Sequence, residues 1–230
     1  LGGMHFHGVG GPQDFAEARR LLASAAEQGD ASAQTNLGRV HCDGLGGPED
    51  FAEARRLFRL AAAQGNAAAQ TYLGTIHYNS AGGPKDFAEA RRLFGLAAAQ
   101  GDSLAQTLLG NLHLAQGELP DDAAEARRLF ELAAAQGQAE AQFRLSVMYF
   151  YGQSGPRDQA KAERLLLDAA AQGHVGAKAA VDGGNRAEAQ RAKKQADADA
   201  MMAQLLAEDA DEKAKGAAKS KKSAKGKKRA

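Results

Sequence analysis

A strict 36-residue period is the feature that most restricts how this chain can fold. One aspartate, one glycine and one proline position recur at this interval through the first 173 residues, and they account for every proline in the chain. The three sets are Asp14, Asp50, Asp86, Asp122 and Asp158; Gly29, Gly65, Gly101, Gly137 and Gly173; and Pro12, Pro48, Pro84, Pro120 and Pro156. A fixed period of this length indicates a repeat protein in which each unit is one supersecondary element.

Each unit is predicted to form two helices, here called helix A and helix B. In the second unit, helix A runs from Phe51 to Gln64, with apolar residues at the i, i+3, i+4, i+7 spacing of a buried face. Asp50 and Glu53 form an expected capping box, in which each side chain accepts a hydrogen bond from a backbone N–H of the first turn. Gly65 is the expected left-handed cap, and helix B follows from Ala67 to Tyr78.

A column of glycines lies inside the predicted B helices, where glycine costs roughly 1 kcal/mol relative to alanine. Each glycine follows a leucine, and the pairs are in register: Leu37 and Gly38, Leu73 and Gly74, Leu109 and Gly110. Because glycine weakens a helix interior, we interpret the column as a close helix–helix contact. A Gly-Gly-Pro loop then leads to the next aspartate.

The combined pattern resembles the Sel1-like repeat, a relative of the tetratricopeptide repeat. It reads A-x-A-Q-x-x-L-G-x-x-[YH], then a glycine-rich loop, then D-x-x-x-A-x-x-[LF]-[LF]-x-x-A-A-x-Q-G. The resemblance implies an all-α fold, a right-handed α-solenoid of helical hairpins with the A helices on its concave face. It also implies a non-catalytic scaffold or adaptor that holds a partner protein or peptide on that face.

The resemblance covers residues 1–184. Leu1 stands at the repeat position of Leu37, in the middle of the motif, so we expect a truncated N-terminus. Counted from helix B through the next helix A, the predicted parts are a partial unit at 1–30, full units at 31–66, 67–102, 103–138 and 139–174, and a degenerate cap at 175–184.

The sequence contains no motif for catalysis or for a cofactor. It lacks Gly-x-Ser-x-Gly, a phosphate loop, His-Glu-x-x-His and Cys-x-x-Cys, and Cys42 is its single cysteine. His41, His77 and His113 lie one repeat apart, whereas the ligands of one zinc ion lie about 2 Å from it. We therefore expect core histidines, no metal site, no cofactor and no enzyme.

Two columns of arginines lie on the predicted A helices. The first column pairs with the glutamate three residues earlier and comprises Arg20, Arg56, Arg92, Arg128 and Arg164, although Arg164 follows Lys161 instead. The second column has no such partner in the sequence. Its members are Arg19, Arg55, Arg91 and Arg127, and Glu163 interrupts the column in the last unit. Arg55, Arg91 and Arg127 are therefore candidates for binding carboxylates of an extended partner.

Specificity is expected at positions that differ between units, because a position free to vary in a copied unit is exposed. Arg59 and Glu131 belong to one such column, and Tyr151 belongs to another. Whether these side chains contact a ligand or only solvent stays open at this point.

The C-terminal region departs from the repeat. Residues 185–212 are predicted to form a charged, alanine-rich helix, and residues 213–230 hold nine of the 29 basic residues and no acidic one. The lysine-rich tail is expected to be disordered. It is a solubilising tail, a nuclear-import or nucleic-acid-contacting patch, or an ER retrieval signal. The alternative function is therefore a basic-tailed nuclear or nucleic-acid-associated protein that uses the solenoid as a platform, and the expected location is cytoplasmic or nuclear.

Overall fold

The computed structural model describes residues 14–81, 84–116, 120–186 and 190–191, and within these ranges it contains helices and no strand. In chain order the helices are α1 (Phe15–Glu27), α2 (Ala31–Cys42), α3 (Phe51–Ala63), α4 (Ala67–Asn79), α5 (Phe87–Ala99), α6 (Ser103–Gln116), α7 (Pro120–Ala135), α8 (Ala139–Tyr151) and α9 (Gln159–Ala171). The odd-numbered helices are the predicted A helices, and the even-numbered ones are the predicted B helices.

Each of these helices packs against the one before it and the one after it. The core continues from one hairpin to the next: Leu93 of α5 joins a buried cluster formed by Phe58 of α3 and by Leu73 and Ile76 of α4. Stacking of this kind buries the apolar face that a single hairpin leaves open. The prediction of an all-α, solenoid-type stack of helical hairpins is confirmed.

Four of the aspartates predicted as N-caps do cap their A helices: Asp14, Asp50, Asp86 and Asp158. The prediction is wrong for Asp122, because α7 already begins at Pro120 and the Asp122 carboxylate lies against His113. The Oδ1 atom of Asp50 accepts hydrogen bonds from the N–H groups of Ala52 (3.1 Å) and Glu53 (2.9 Å). The glutamate half of the predicted capping box is wrong, because the N–H of Asp50 donates instead to the carbonyl of His41 at 2.9 Å. The carboxylate of Glu53 binds Arg56. The N-cap therefore also ties the start of α3 to the end of α2.

Glycine ends each A helix as predicted. Gly65 has a φ of +85°, in the left-handed region that favours glycine. The equivalent glycines have φ between +82° and +91°: Gly29, Gly101, Gly137 and Gly173. On the next residue, the side chain of Asn66 accepts a hydrogen bond from the N–H of Ala69 at 2.9 Å and so begins helix B. Both helix ends in the short A-to-B connection are therefore capped.

The glycine column of the B helices lies against phenylalanines of the following A helices. An ideal Cβ on Gly74 would stand 2.6 Å from the ring of Phe94, which is too close for any side chain. The same contact joins Gly38 to Phe58 and Gly110 to Phe130. The leucines that precede these glycines are buried: Leu37, Leu73 and Leu109. The predicted close helix–helix contact is confirmed, and its partner is an aromatic ring.

A further helical stretch covers residues 175–186. It begins where the degenerate last helix B is predicted, and it continues through Gly183 and Gly184. Two adjacent glycines weaken a helix but do not by themselves end it.

The chain divides into two compact units, Leu1–Ala177 and Lys178–Ala230. In the second unit the described residues are helical. The remaining sequence-based predictions for the partial first unit, the charged helix and the lysine-rich tail lie outside the described residues, at 1–13, 187–189 and 192–230.

Candidate interaction surface

Open hollows lie between successive A helices. One of them, named here the Arg59 hollow, has a volume of about 440 Å³ and lies between α3 and α5, with α4 as its floor. Its lining residues are Arg59, Ala62 and Ala63 of α3, Gln70, Leu73 and His77 of α4, and Glu89, Arg92, Leu93 and Leu96 of α5.

Two more hollows repeat this arrangement one and two units further along. The Gly95 hollow, of about 420 Å³, lies between α5 and α7 over α6. The Glu131 hollow, of about 300 Å³, lies between α7 and α9 over α8. The same repeat position lines each hollow: Leu96 in the Arg59 hollow, Leu132 in the Gly95 hollow and Asp168 in the Glu131 hollow. The A helices therefore present equivalent hollows at the period of the repeat.

Glutamines form the floor of these hollows and connect three helices. The Nε2 atom of Gln70 donates to the carbonyl of Ala62 at 3.4 Å, and its Oε1 accepts from Nε2 of Gln100 at 2.9 Å. Each floor glutamine thereby links its B helix to the A helices before and after it, a series that we call the glutamine relay. The same two bonds recur at Gln34 with Gln64, Gln106 with Gln136, and Gln142 with Gln172.

An exposed leucine lies at the same position of three successive A helices, and in two of them, at Leu96 and Leu132, it lines a hollow. Leu60, Leu96 and Leu132 are 43–44% exposed, although each lies on a helix with a fully buried face. The same position is Ser24 in α1 and Asp168 in α9, so polar side chains are compatible with the fold there. Three successive units therefore carry an apolar side chain that folding alone does not require.

The first arginine column forms the predicted pairs. Nε and Nη2 of Arg92 bind the two carboxylate oxygens of Glu89 at 2.8 and 2.7 Å, and this contact holds the pKa of Glu89 below its ordinary value. The arginine side chain is 58% exposed, so the pair adds only a few tenths of a kcal/mol. The same pair occurs in Arg20 with Glu17, Arg56 with Glu53, and Arg128 with Glu125.

The second arginine column is held by the chain itself, which corrects the expectation that it lacks an internal partner. Nη2 of Arg55 donates to the carbonyl of Ala81 at 3.0 Å, and Nη1 of Arg127 donates to that of Ser154 at 3.1 Å. Both acceptors lie in the loop after the next B helix. Arg91 is exposed, and it too interacts within the chain. Binding of a partner by these arginines stays a prediction, since their observed contacts hold loops.

Glycines of the loops leave room for this column. A Cβ on Gly47 would collide with Nη1 of Arg19, and a Cβ on Gly155 would collide with Nη1 of Arg127. Arg19 also lies 3.1 Å from Nδ1 of His41. The loops that contain Gly47 and Gly155 therefore do more than connect two hairpins, because each receives a guanidinium group from the preceding A helix.

Of the three histidines that the structure describes at the equivalent position of the B helices, His41 and His113 each lie within hydrogen-bonding distance of a charged side chain, and His77 does not. Nδ1 of His113 lies 2.8 Å from the carboxylate of Asp122. The ring of His77 forms no hydrogen bond with another described residue, and it lines the Arg59 hollow. Within the ranges that the structure describes, no group of three or more His, Cys, Asp or Glu residues could hold a metal ion.

The five units also match a known family. The Sel1 repeat model matches residues 1–30, 31–66, 67–102, 103–138 and 139–174. The chain belongs to the Sel1 repeat family.

Solved structures of Sel1 repeat proteins have the same fold. The chain is similar to c5321, a protective antigen of uropathogenic Escherichia coli with an SLR fold, with a TM-score of 0.73 and 32% identity over 77% of this chain. It spans only 38% of the length of c5321. It is also similar to a Sel1 repeat protein from Oxalobacter formigenes, with a TM-score of 0.69 and 29% identity over 76% of this chain and 70% of that one. No curated protein matches the chain.

Sel1 repeat proteins are generally protein-interaction scaffolds, and the family is generally non-catalytic. Their repeats point to protein partners. None of the helices in the described ranges is long and apolar enough to cross a membrane. The alternative of a nuclear or nucleic-acid-associated protein depends on residues 213–230, which the structure does not describe, and it stays a prediction.

The variable positions of the Sel1 units fall in two places. Arg59 and Glu131 are exposed and lie on the rims of their hollows. The Glu131 carboxylate accepts hydrogen bonds from Arg127 at 3.2 Å and from the hydroxyl of Tyr149 at 3.1 Å. Tyr151 is 59% exposed at the end of α8, where its ring contacts Phe150, and it lines none of the three hollows. The structure thus brings two of the three predicted specificity residues to the A-helix surface.

Sequence reasoning missed the glutamine relay and the exposed leucines. Both glutamines stand in the motif itself, 30 residues apart in every unit, and this constant spacing is a signal that could have paired them. The leucines have no comparable signal, because a leucine on an amphipathic helix ordinarily belongs to the core.

Proposed function

We propose that this Sel1 repeat chain is a non-catalytic scaffold that holds an extended segment of a partner protein along its A helices. The observation that carries the proposal is the series of exposed leucines at one repeat interval, Leu60, Leu96 and Leu132. Leu96 and Leu132 lie beside hollows whose floors contain a glutamine. Regularly spaced apolar side chains next to hydrogen-bonding groups suit an extended chain that offers side chains at a matching interval.

The fixed spacing of the hollows supports this proposal. The glutamine relay bonds each B helix to two A helices, and the contact of Gly74 with Phe94 leaves no gap between helices α4 and α5. A surface that is already ordered loses less conformational freedom on binding than a mobile one. More of the binding energy is therefore retained as affinity.

Removing two of the leucines tests the proposal. Leu96→Ser combined with Leu132→Ser should leave the helices intact, since serine stands at this position in α1. Peptides selected from a random display library on the unmodified 230-residue chain should bind the double variant about tenfold more weakly or worse. Full burial of a leucine contributes about 1.5–3 kcal/mol, and about 1.4 kcal/mol is a factor of ten. Fluorescence anisotropy measures the affinities.

Two leucines on a B helix provide the matched control. Leu104 and Leu114 lie on α6, are each 38% exposed and do not line the Gly95 hollow. Leu104→Ser combined with Leu114→Ser should keep the affinity, with circular dichroism confirming equal helix content in all three proteins. Equal loss of binding in both double variants, or no loss in either, would contradict the proposed surface.

A further inference from the structure

The Arg59 hollow contains polar groups that form no hydrogen bond within the described residues, although the charges of Arg59 and His77 act on the nearby Glu89 and help to lower its pKa, after the larger effect of Arg92. Arg59 forms no hydrogen bond or salt bridge with a described residue, and neither does the ring of His77. In the other described units the matching positions are occupied differently. Glycine replaces the arginine at Gly95, and His113 is bonded to Asp122.

A third donor completes the lining. Arg92 uses Nε and Nη2 for Glu89, which leaves the hydrogen atoms of Nη1 available at the hollow. Helices α3, α4 and α5 therefore each contribute one nitrogen group, from Arg59, His77 and Arg92. Among the lining residues with a fixed charge, Arg92 and Glu89 balance each other, so Arg59 leaves an excess of one positive charge.

We infer that the Arg59 hollow binds a single side-chain carboxylate, from an aspartate or glutamate of the extended partner segment. This inference rests on the proposed function and names the partner chemistry at one of its hollows. A carboxylate accepts several hydrogen bonds through two oxygens, and guanidinium groups match that geometry. The charge of one carboxylate equals the excess that the hollow carries.

A dianionic group suits the same hollow less well. A phosphorylated side chain carries about −1.5 to −2 charges near pH 7. It would exceed the single positive excess and would stand beside the carboxylate of Glu89, which lines the hollow. Charge complementarity therefore favours a carboxylate over a phosphate.

The lining of the neighbouring Gly95 hollow has no net charge and therefore suits an uncharged side chain. Its only charged lining residues are Glu125 and Arg128, which are bonded to each other, and a Cβ on Gly95 would meet no atom within 4 Å. The two hollows follow one another along the stack, and an extended chain advances about 3.3 Å per residue. The partner segment therefore carries its acidic residue a few positions from an uncharged side chain such as leucine.

Defined peptides test this inference on the full 230-residue chain. The probes are two capped peptides of Ser and Thr residues that carry Glu-x-x-Leu or Leu-x-x-Glu, since both chain directions must be covered. Each is compared with its Gln and its phosphoserine counterpart at the acidic position. Affinities are measured by fluorescence anisotropy at low ionic strength against the unmodified chain, Arg59→Gln and the control Lys85→Gln, whose lysine is exposed and lies outside the hollow.

The Glu form of one peptide should bind the unmodified chain about tenfold more tightly than its Gln form, because hydrogen bonds to charged groups contribute about 1.5–3 kcal/mol. Arg59→Gln should remove most of that preference, and Lys85→Gln should keep it. Binding should also shift the ring signals of His77 in NMR spectra, assigned with His77→Tyr. Equal binding of the Glu and Gln forms, no binding of either, or tighter binding of the phosphoserine form overturns the inference.

The leucine variants separate this inference from the function on which it rests. If library-selected peptides lose affinity with Leu96→Ser and Leu132→Ser but are indifferent to Arg59→Gln, the A-helix scaffold stands and the carboxylate site is wrong. If neither change affects binding, both proposals fail.

Discussion

The middle units of this chain and its last full unit, residues 139–174, have different residues at the position where helix B meets the following A helix. In the middle units a glycine of helix B faces a phenylalanine, as Gly74 faces Phe94. In the last unit the two positions are Ser146 and Leu166. A larger residue at one position thus comes with a smaller one at the other, and we expect the summed volume of the two residues to govern this contact.

The polar side of the last unit also differs. Tyr149 replaces histidine, lies under the guanidinium of Arg127 at 4.3 Å from the ring centre, and accepts a hydrogen bond from Lys161 at 2.6 Å. Its B helix has no side-chain cap at Gln138, whereas His174 caps the following helical stretch through Nδ1 and donates from Nε2 to Glu140. The glutamine relay is the same in both regions.

The largest expected effect on stability comes from placing the serine and leucine of the last unit at the equivalent positions of a middle unit, Gly74 and Phe94. Gly74→Ser places a Cβ 2.6 Å from the ring of Phe94 and should lower the free energy of unfolding by about 1–3 kcal/mol, the usual range for overpacking. Phe94→Leu alone should also destabilise, by leaving a cavity. Together the two changes should cost less than the sum of the single costs, with a coupling of about 0.5–3 kcal/mol.

Urea unfolding of the four proteins in this double-mutant cycle measures the coupling. The reverse pair, Ser146→Gly with Leu166→Phe, is the matched control in the last unit and should show coupling of the same sign. Simple additivity in both units would show that the two positions do not share one volume.

The glutamine relay should contribute equally in the two regions. Gln106 is 3% exposed, and Gln106→Ala leaves the carbonyl of Ala98 and the amide of Gln136 without this partner. We expect a loss of about 1–3 kcal/mol, because a buried polar group without a partner costs that much. Gln142→Ala should cost a similar amount in the last unit.

Thermal and urea unfolding measure these losses, and Gln153→Ala is the control. Gln153 is exposed in the loop after α8, and its replacement should change stability by less than about 0.5 kcal/mol. A loss at Gln106 without one at Gln142 would mean that the relay supports only the middle of the stack.

The smallest effect concerns pH and compares His41 with Tyr149. Burial and then the charge of Arg19 lower the pKa of His41, with Arg56 acting in the same direction and Glu53 and Asp50 opposing them. Below the ordinary histidine pKa of about 6.5, the unfolded chain therefore binds a proton more readily than the folded one. His41 therefore contributes to the free energy of unfolding above that pH, and this contribution is lost as the pH falls below it.

His41→Tyr copies the last unit and removes this contribution. The difference in the free energy of unfolding between pH 7.5 and pH 5.5 should be smaller in the variant than in the unmodified chain, as measured by urea titration at the two pH values. An identical pH dependence in the two proteins would show that the buried ring of His41 is not responsible.

The fold could be predicted because its determinants repeat. The 36-residue period, the glycine caps and the glycine column each follow from residues that have few other uses in a helix. A close helix–helix contact at Gly74 follows from the sequence, whereas Phe94 as its partner does not. Local sequence rules were enough at these positions because the residues that determine each feature lie in the same unit as the feature itself.

The internal roles of Arg55 and Arg127 could not be read from the sequence. Their acceptors are the backbone carbonyls of Ala81 and Ser154, 26 and 27 residues further on, and a carbonyl has no signature in the sequence. Glu53 was assigned to the N-terminal cap because Asp-x-x-Glu favours it locally. The backbone N–H of Asp50 found a carbonyl in the preceding helix instead. In both cases the deciding contact joins an A helix to a backbone carbonyl outside that helix.

The glutamine relay has a consequence for how such a chain changes length. Each floor glutamine forms one hydrogen bond within its own unit and one with the preceding unit, and the units offer the same pair of groups. Duplication or loss of 36 residues, or of a multiple of 36, between equivalent positions therefore leaves every bond with a partner of the same kind, whereas a length that is not a multiple of 36 shifts the two groups out of register. Genetic recombination between the copies can add or delete one hollow at a time without inventing a new interface.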